Sequence, residues 1–255
     1  MKNLNKIIPI CLLVFMLALV GCRDTSDNAS DTPAAVDSAT FSEQAVIQST
    51  DSVRYHGIDV SHHQGDVDWE AVKAAGITFV YIKATEGNDY LDPKFQDNWK
   101  AVKEAGLVRG AYHFFHPHDS AATQARYFIS TVQLEPGDLP PVLDIEVAEG
   151  VTPENIDKEI QVWLEMVHEA YGVQPVIYSG LHFIEENLHT GFNTYPLWLA
   201  DYTETTPPAP GDWDSWTFWQ QTNEEVIEGV AGTFDRSIHH GPAAHWEALL
   251  VPVAQ

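Results

Sequence analysis

Cysteine is nearly absent from this chain of 255 residues: there are two, Cys11 and Cys22, both close to the N-terminus. Everything after Cys22 therefore lacks a disulfide, a thiol nucleophile and a cysteine-ligated metal. Positive charge is scarce as well, with 13 Lys+Arg against 37 Asp+Glu and a formal net charge of −24. No basic stripe is available to neutralise phosphates, which excludes nucleic acid as a partner. The same deficit excludes attachment to anionic lipid through the folded surface. No glycine-rich phosphate loop follows a strand-like segment, and no G-x-S-x-G elbow occurs. Long hydrophobic runs are missing too. The one uncharged apolar stretch, Ile7 to Val20, falls short of the ~20 residues that span a bilayer. What is abundant is apolar and aromatic material, 44% and 11% of the chain, enough to bury a core and to exclude global disorder.

Lys2 and Lys6 precede the Ile7–Val20 run, the charged and apolar parts of a secretory signal. The run ends Leu19-Val20-Gly21-Cys22, which resembles the lipobox of bacterial lipoproteins. That resemblance implies cleavage before Cys22, lipidation of that cysteine and membrane attachment through it alone. Arg23, rather than Asp, follows, a pattern that implies the outer membrane if the cell is Gram-negative, with action in the periplasm or cell envelope. Residues 23–53 are rich in Ser, Thr, Asp, Ala and Pro without helical or strand periodicity. They read as a flexible linker, able to reach ~100 Å when extended. Residues 54–255 read as one domain.

Within that domain short apolar runs alternate with helical segments. HGIDVS, ITFVYIKAT, LVRGAYHFF, PPVLDIE and QPVIYSG are strand-like. Helical patterns follow each of them, the longest with Thr152 as cap, Pro153 in its first turn and Gly172 at its end. Beyond Tyr195 the helices are expected to vanish, leaving YPLWLADY, SWTFWQQT and VAGTFDRSIH as three further strands. Eight strands with five helices predict an α/β fold, a closed TIM-like barrel whose last third has lost its helices. An open doubly wound sheet is the alternative, and the missing phosphate loop speaks against it.

Acidic residues fall at the strand ends. Asp144 and Glu146 are two apart in PPVLDIE, so both should face one side, with carboxyl groups ~6–7 Å apart. Asp59 is expected to end the first strand and Asp235 the last; in a closed barrel those strands are neighbours. Four acids at one mouth raise one another's pKa and are costly unless used. Tyr81, Tyr112, Phe114, Tyr178, Trp198, Tyr202 and Trp219 crowd the same ends. Aromatic faces beside carboxylates suit a sugar cleft, and the pattern predicts glycoside hydrolysis. Histidines invite a competing metal-dependent reading, with His113, His116 and His118 after one strand and His62-His63 after Asp59. Strand alternation turns His113 away from Tyr112, however, and His116 and His118 fall on a loop with Pro117. No metal and no cofactor is expected.

The ordered set GIDVSHHQG, FVYIKATEG, GAYHFF, PVLDIE, VIYSG, LWLADY, FWQQT and VAGTFD resembles the family 25 glycoside hydrolases, lysozymes of the muramidase type. The resemblance spans Tyr55 to Ile238 and implies a (β/α)5(β)3 barrel. It implies cleavage of the β-1,4 bond between N-acetylmuramic acid and N-acetylglucosamine in peptidoglycan glycan strands. By the same resemblance Glu146 is the general acid and Asp144 its partner, orienting the substrate 2-acetamido group. Asp59 and Asp235 are flanking acids, and Tyr112, Tyr178, Trp198 and Asp201 belong to the saccharide groove. One departure stands out: the family's D-x-N on the last strand is here Asp235-Arg236-Ser237. The expected Asp144–Glu146 spacing exceeds the ~5–5.5 Å of direct carboxylate attack, which favours assistance by the acetamido group. Family 18 chitinases share D-x-E, but Pro140-Pro141-Val142 occupies the place of their longer acidic pattern. A monomer is expected. The non-enzymatic alternative is a barrel that binds peptidoglycan without cutting it.

Overall fold

The computed structural model describes residues 54–253 except 190, 204 and 229. The signal segment, Cys22 and the linker lie outside the described residues. Strands β1 (His56–Val60), β2 (Phe79–Glu86), β3 (Tyr90–Leu91), β4 (Val108–Phe114), β5 (Val142–Asp144), β6 (Val176–Gly180), β7 (Leu197–Ala200), β8 (Phe218–Glu225) and β9 (Phe234–His239) form one sheet. Its order is β1-β9-β8-β7-β6-β5-β4-β2-β3, and β1 also pairs with β2, closing a barrel. Neighbours from β1 through β2 and β4 to β8 run parallel. Only β9 reverses within the barrel, antiparallel to both β8 and β1. The expected barrel is therefore present, with two additions. The two-residue β3 is appended to the edge of β2, too short to leave a periodic signal.

Alternation along each strand separates two apolar layers. On β2, Val80, Ile82 and Ala84 point outward into the layer shared with the helices, while Phe79 and Tyr81 fill the barrel with Val142, Val176, Tyr178, Trp198 and Phe218. Burial on both faces explains why FVYIKAT reads as a continuous apolar run. Gly57 and Gly110 are small for a reason of packing: a Cβ on either would fall 2.2 Å from the rings of Phe79 and Tyr81 respectively.

The outer layer consists of α1 (Trp69–Ala74), α2 (Phe95–Glu104), α3 (Ala121–Thr131), α4 (Pro153–Tyr171) and α5 (Leu181–Asn187). Helix α4 buries Ile156, Ile160, Trp163, Leu164 and Val167, one stripe at i, i+4, i+7, i+8 and i+11. It stops at Gly172, whose φ of 68° is left-handed.

The second addition corrects the expectation that helices end at Tyr195. Helix α6 (Ala243–Leu249) plugs the barrel at the end where β1 begins. Its Trp246 stacks on Tyr55 at 4.2 Å and meets Phe79 and His239 at 5.5 and 5.3 Å. A helix this short, anchored by a single large side chain, has too few turns for its period to register in sequence.

His239, beside that plug, is 3% exposed, and neither ring nitrogen has a hydrogen-bond partner among the described residues. Burial pushes its pKa from 6.5 down to about 4, helped by nearby His245 and His240. The folded protein thus keeps the ring neutral while the unfolded chain takes up a proton below 6.5, so this site loses stability as pH falls from 6.5 towards 4. His239→Phe should remove that contribution. Its melting temperature is expected to exceed that of the parent by more at about pH 4.5 than at about pH 7; an equal difference at both would contradict the assignment.

Candidate active site

The parallel strands bring their C-terminal ends to one mouth, where catalytic groups of such barrels collect. A cavity of about 240 Å³ opens there. Its lining includes Asp59, Asp144, Glu146 and Asp235, together with Tyr112, Phe114, Tyr178, Trp198 and Lys83. Asp59 reaches it from the end of β1. Asp235 is near the start of β9, yet the antiparallel register sets it directly opposite Asp59. The reversal of β9 is what brings both acids to the same rim.

Gln220 on β8 organises one wall. Its Nε2 donates to Asp59 Oδ2 at 2.9 Å. Its Oε1 accepts from the hydroxyls of Tyr178 and Tyr202, at 2.9 and 2.8 Å. Burial, then the charge of Asp235, holds the Asp59 carboxyl well above the ordinary carboxylate range, against the hydrogen bond from Gln220. Asp235 is also raised by burial. Asp144 is 5% exposed and is raised first by burial and then by Glu146, with Lys83 opposing. Its Oδ1 has no hydrogen-bond partner among the described residues. Tyr112 is pushed up by burial and by the surrounding acids, Asp59 foremost.

The D-x-E geometry differs from the strand-based expectation. Strand β5 ends at Asp144. Beyond it, Ile145 is held by its N–H to Tyr178 O at 2.9 Å and by Ser179 Oγ donating to Ile145 O at 2.6 Å. Glu146 has left the sheet and is exposed at the mouth, near enough for its charge to raise Asp144. A separation of ~6–7 Å follows only while both residues stay in the pleat, so it does not describe this pair.

Trp198 forms part of the cavity wall, 2% exposed, stacked on Tyr81 and edge-on to Tyr178, each at 4.8 Å. Its Nε1 donates to Ser237 Oγ at 3.0 Å. The Ser of Asp235-Arg236-Ser237 is therefore accounted for, because it accepts the indole N–H behind the acid pair. Asp201 is not brought into the cavity. It follows the end of β7, where its Oδ1 accepts from Thr203 N at 3.2 Å and its carbonyl from Trp219 Nε1 at 2.7 Å. Trp219 faces outward against Trp216, and Tyr81 is fully buried, so neither is a groove residue. Tyr202, half exposed, stands at the mouth.

Lys83 and Gln220 escaped the sequence reading, although each left a signal: a lysine inside a buried strand, and a glutamine on the inward register of β8 between Phe218 and the rim. Isolated polar groups in such places need partners. Lys83 Nζ donates to Glu86 Oε2 at 2.6 Å and lies 4.9 Å from the Phe114 ring centroid.

The histidines divide differently from a metal site. His113 is buried between Thr85 Oγ1 (2.7 Å) and Gln124 Oε1 (3.0 Å) and is stacked on Trp163. His62 Nδ1 meets Asp92 Oδ2 at 2.8 Å. Among the described residues no three His, Cys, Asp or Glu side chains converge as a cation would require.

A family model described as glycosyl hydrolases family 25 matches residues 58–230. Lysozyme M1 of Streptomyces globisporus is 36% identical over 226 residues, covering 81% of this chain and 75% of its own. The uncharacterized protein YegX of Escherichia coli is 39% identical over 204 residues, 78% of this chain and 74% of its own. The crystal structure of the bacterial lysozyme from Streptomyces coelicolor superposes with a TM-score of 0.73 at 35% identity, covering 76% of this chain and 96% of that one.

Proposed function

The chain belongs to the family 25 glycosyl hydrolases and is a lysozyme-type hydrolase of peptidoglycan, and from that premise we propose that it cuts the β-1,4 bond between N-acetylmuramic acid and N-acetylglucosamine, with Glu146 as general acid. The observation that carries the assignment is the position of Glu146: exposed at the mouth beside Asp144, a buried acid whose pKa is raised by burial and by Glu146. Two carboxyls in unlike surroundings can take unlike roles: Glu146, open to the mouth, is placed to pass a proton to a leaving glycosidic oxygen while Asp144 supports it from the buried side.

Asp144 suits a supporting role. A carboxylate of raised pKa is a good acceptor for the N–H of a 2-acetamido group whose oxygen attacks the anomeric carbon, and it stabilises the positive charge that develops there. Asp59, tied through Gln220 to Tyr178 and Tyr202, holds the floor with Asp235 opposite it. Tyr112 and Tyr178 line the cavity beside the acids, with Trp198 packed behind them as part of its wall. We further propose that Cys22 anchors the enzyme to a membrane as a lipoprotein, leaving residues 54–255 to act on the wall from the end of a linker.

Digestion of purified peptidoglycan tests the bond specificity. Mass spectrometry of borohydride-reduced products is expected to show N-acetylmuramic acid at every new reducing end; N-acetylglucosamine there would overturn it. Proton NMR of the first-formed product should show the retained β-anomer, since acetamido attack followed by water inverts twice. An α-anomer would exclude the assisted route.

A further inference from the structure

Glu146 is carried by a loop that the sheet barely supports. Past Ile145 no ladder bond holds it, and it turns through two successive left-handed residues, Glu149 at φ 51° and Gly150 at φ 77°. Left-handed backbone is costly for glutamate, and the turn is closed by Val151 N–H donating to Ala148 O at 2.9 Å. Its Glu149 side chain is tied to the rest of the mouth by His116, from the loop after β4. The His116 Nδ1 lies 2.9 Å from Glu149 Oε1 and its Nε2 lies 3.1 Å from Glu86 Oε1, at the end of β2. Glu86 in turn binds Lys83, and His118 Nε2 donates to the Glu149 carbonyl. Charges thus alternate along Lys83, Glu86, His116 and Glu149, joining the end of β2 to the loops after β4 and β5.

We propose that His116, as an imidazolium, is a positioning residue that clamps the Glu146 loop to the rest of the barrel mouth. Only the doubly protonated ring can donate to both carboxylates; a neutral ring keeps one bond and leaves Glu86 and Glu149 facing each other as like charges. The titratable groups around the ring are Glu86 and Lys83 from β2, Glu149 from the loop after β5, His113 from β4, and His118 and Asp119 from its own loop. Burial disfavours the charged ring, but the two carboxylates outweigh it and raise His116 above 6.5. The clamp is therefore complete below 6.5 and is lost as pH rises through that elevated value.

This inference rests on Glu146 being the acid, and its test separates the two. Rates on peptidoglycan are measured across about pH 5.5–9 for the parent, His116→Gln, Glu149→Gln and His116→Arg. Both glutamine variants should lose about 10- to 100-fold in kcat with KM within about twofold, as for a misplaced catalytic group. Arginine cannot deprotonate and can bridge two carboxylates. His116→Arg should recover most of the kcat lost in His116→Gln, with an alkaline limb no lower in pH than the parent's, since Glu146 must stay protonated in every variant. A His116→Arg enzyme as slow as His116→Gln, or a His116→Gln enzyme with parental kcat, would overturn the clamp. NMR supplies the independent readout: backbone amides of Glu146 to Gly150 should titrate with the midpoint of His116 Cε1–H. Amides that ignore the ring sink the clamp even in an active enzyme. Amides that follow it in a protein releasing no new reducing ends sustain the clamp and reject the functional reading.

Discussion

Glu146→Gln is expected to abolish lysis of a peptidoglycan suspension while leaving the fold unchanged. Removing a general acid costs about 10²–10⁴-fold in rate, and glutamine keeps the shape while losing the proton. Because Glu146 is exposed beyond the end of β5, its replacement should move stability by no more than about 0.5 kcal/mol. A second measurement distinguishes proton donation from damage to the groove. An aryl glycoside whose leaving group departs without a proton does not need the acid, so on such a substrate the deficit should shrink by at least an order of magnitude. An equal loss on both substrates would mean that Glu146 serves binding, and near-parental lysis would remove it from the mechanism.

The parts of this molecule that were legible in sequence are those where one local pattern decides the outcome. Buried parallel strands such as FVYIKAT and the striped, capped α4 announce themselves because period, cap and stop agree. The four acids reached the cavity with Tyr112, Tyr178 and Trp198 because strand ends in a closed barrel share one rim. What failed to show depends on distances in space that spacing along the chain does not encode. Strand β5 stops one residue after Leu143, so Glu146 leaves the pleat, and the loop that carries it meets His116, distant in sequence, at Glu149. Asp201 missed the cavity because its carboxylate is engaged with the turn at Thr203. Ser237 departs from the family's D-x-N, and its partner, the Trp198 indole, is brought to it only by the fold. Helix α6 was invisible because packing against the barrel floor, rather than its own period, makes it a helix.

The same geometry predicts a conflict between stability and activity at Asp144. Its carboxyl is buried, lies beside Glu146, and has one oxygen without a partner among the described residues. Keeping it ionised at neutral pH therefore costs folding free energy that an amide of the same shape would not. Asp144→Asn should raise stability by about 0.5–2 kcal/mol, or about 2–4 °C in Tm for each kcal/mol in a domain of this size. Catalysis should fall about 10²–10³-fold, the usual loss when one preorganised electrostatic group is removed. The pH dependence follows in sign. An acid raised above 3.8 in the folded state binds its proton more tightly there than in the unfolded chain. The parent thus gains stability from this site as pH falls from neutrality through that raised value, and the asparagine variant does not. The Tm advantage of Asp144→Asn should accordingly be largest near neutral pH and shrink in acid. A variant less stable than the parent at neutral pH, or one whose advantage is the same at every pH, would show that the acid cluster is not held at the expense of the fold.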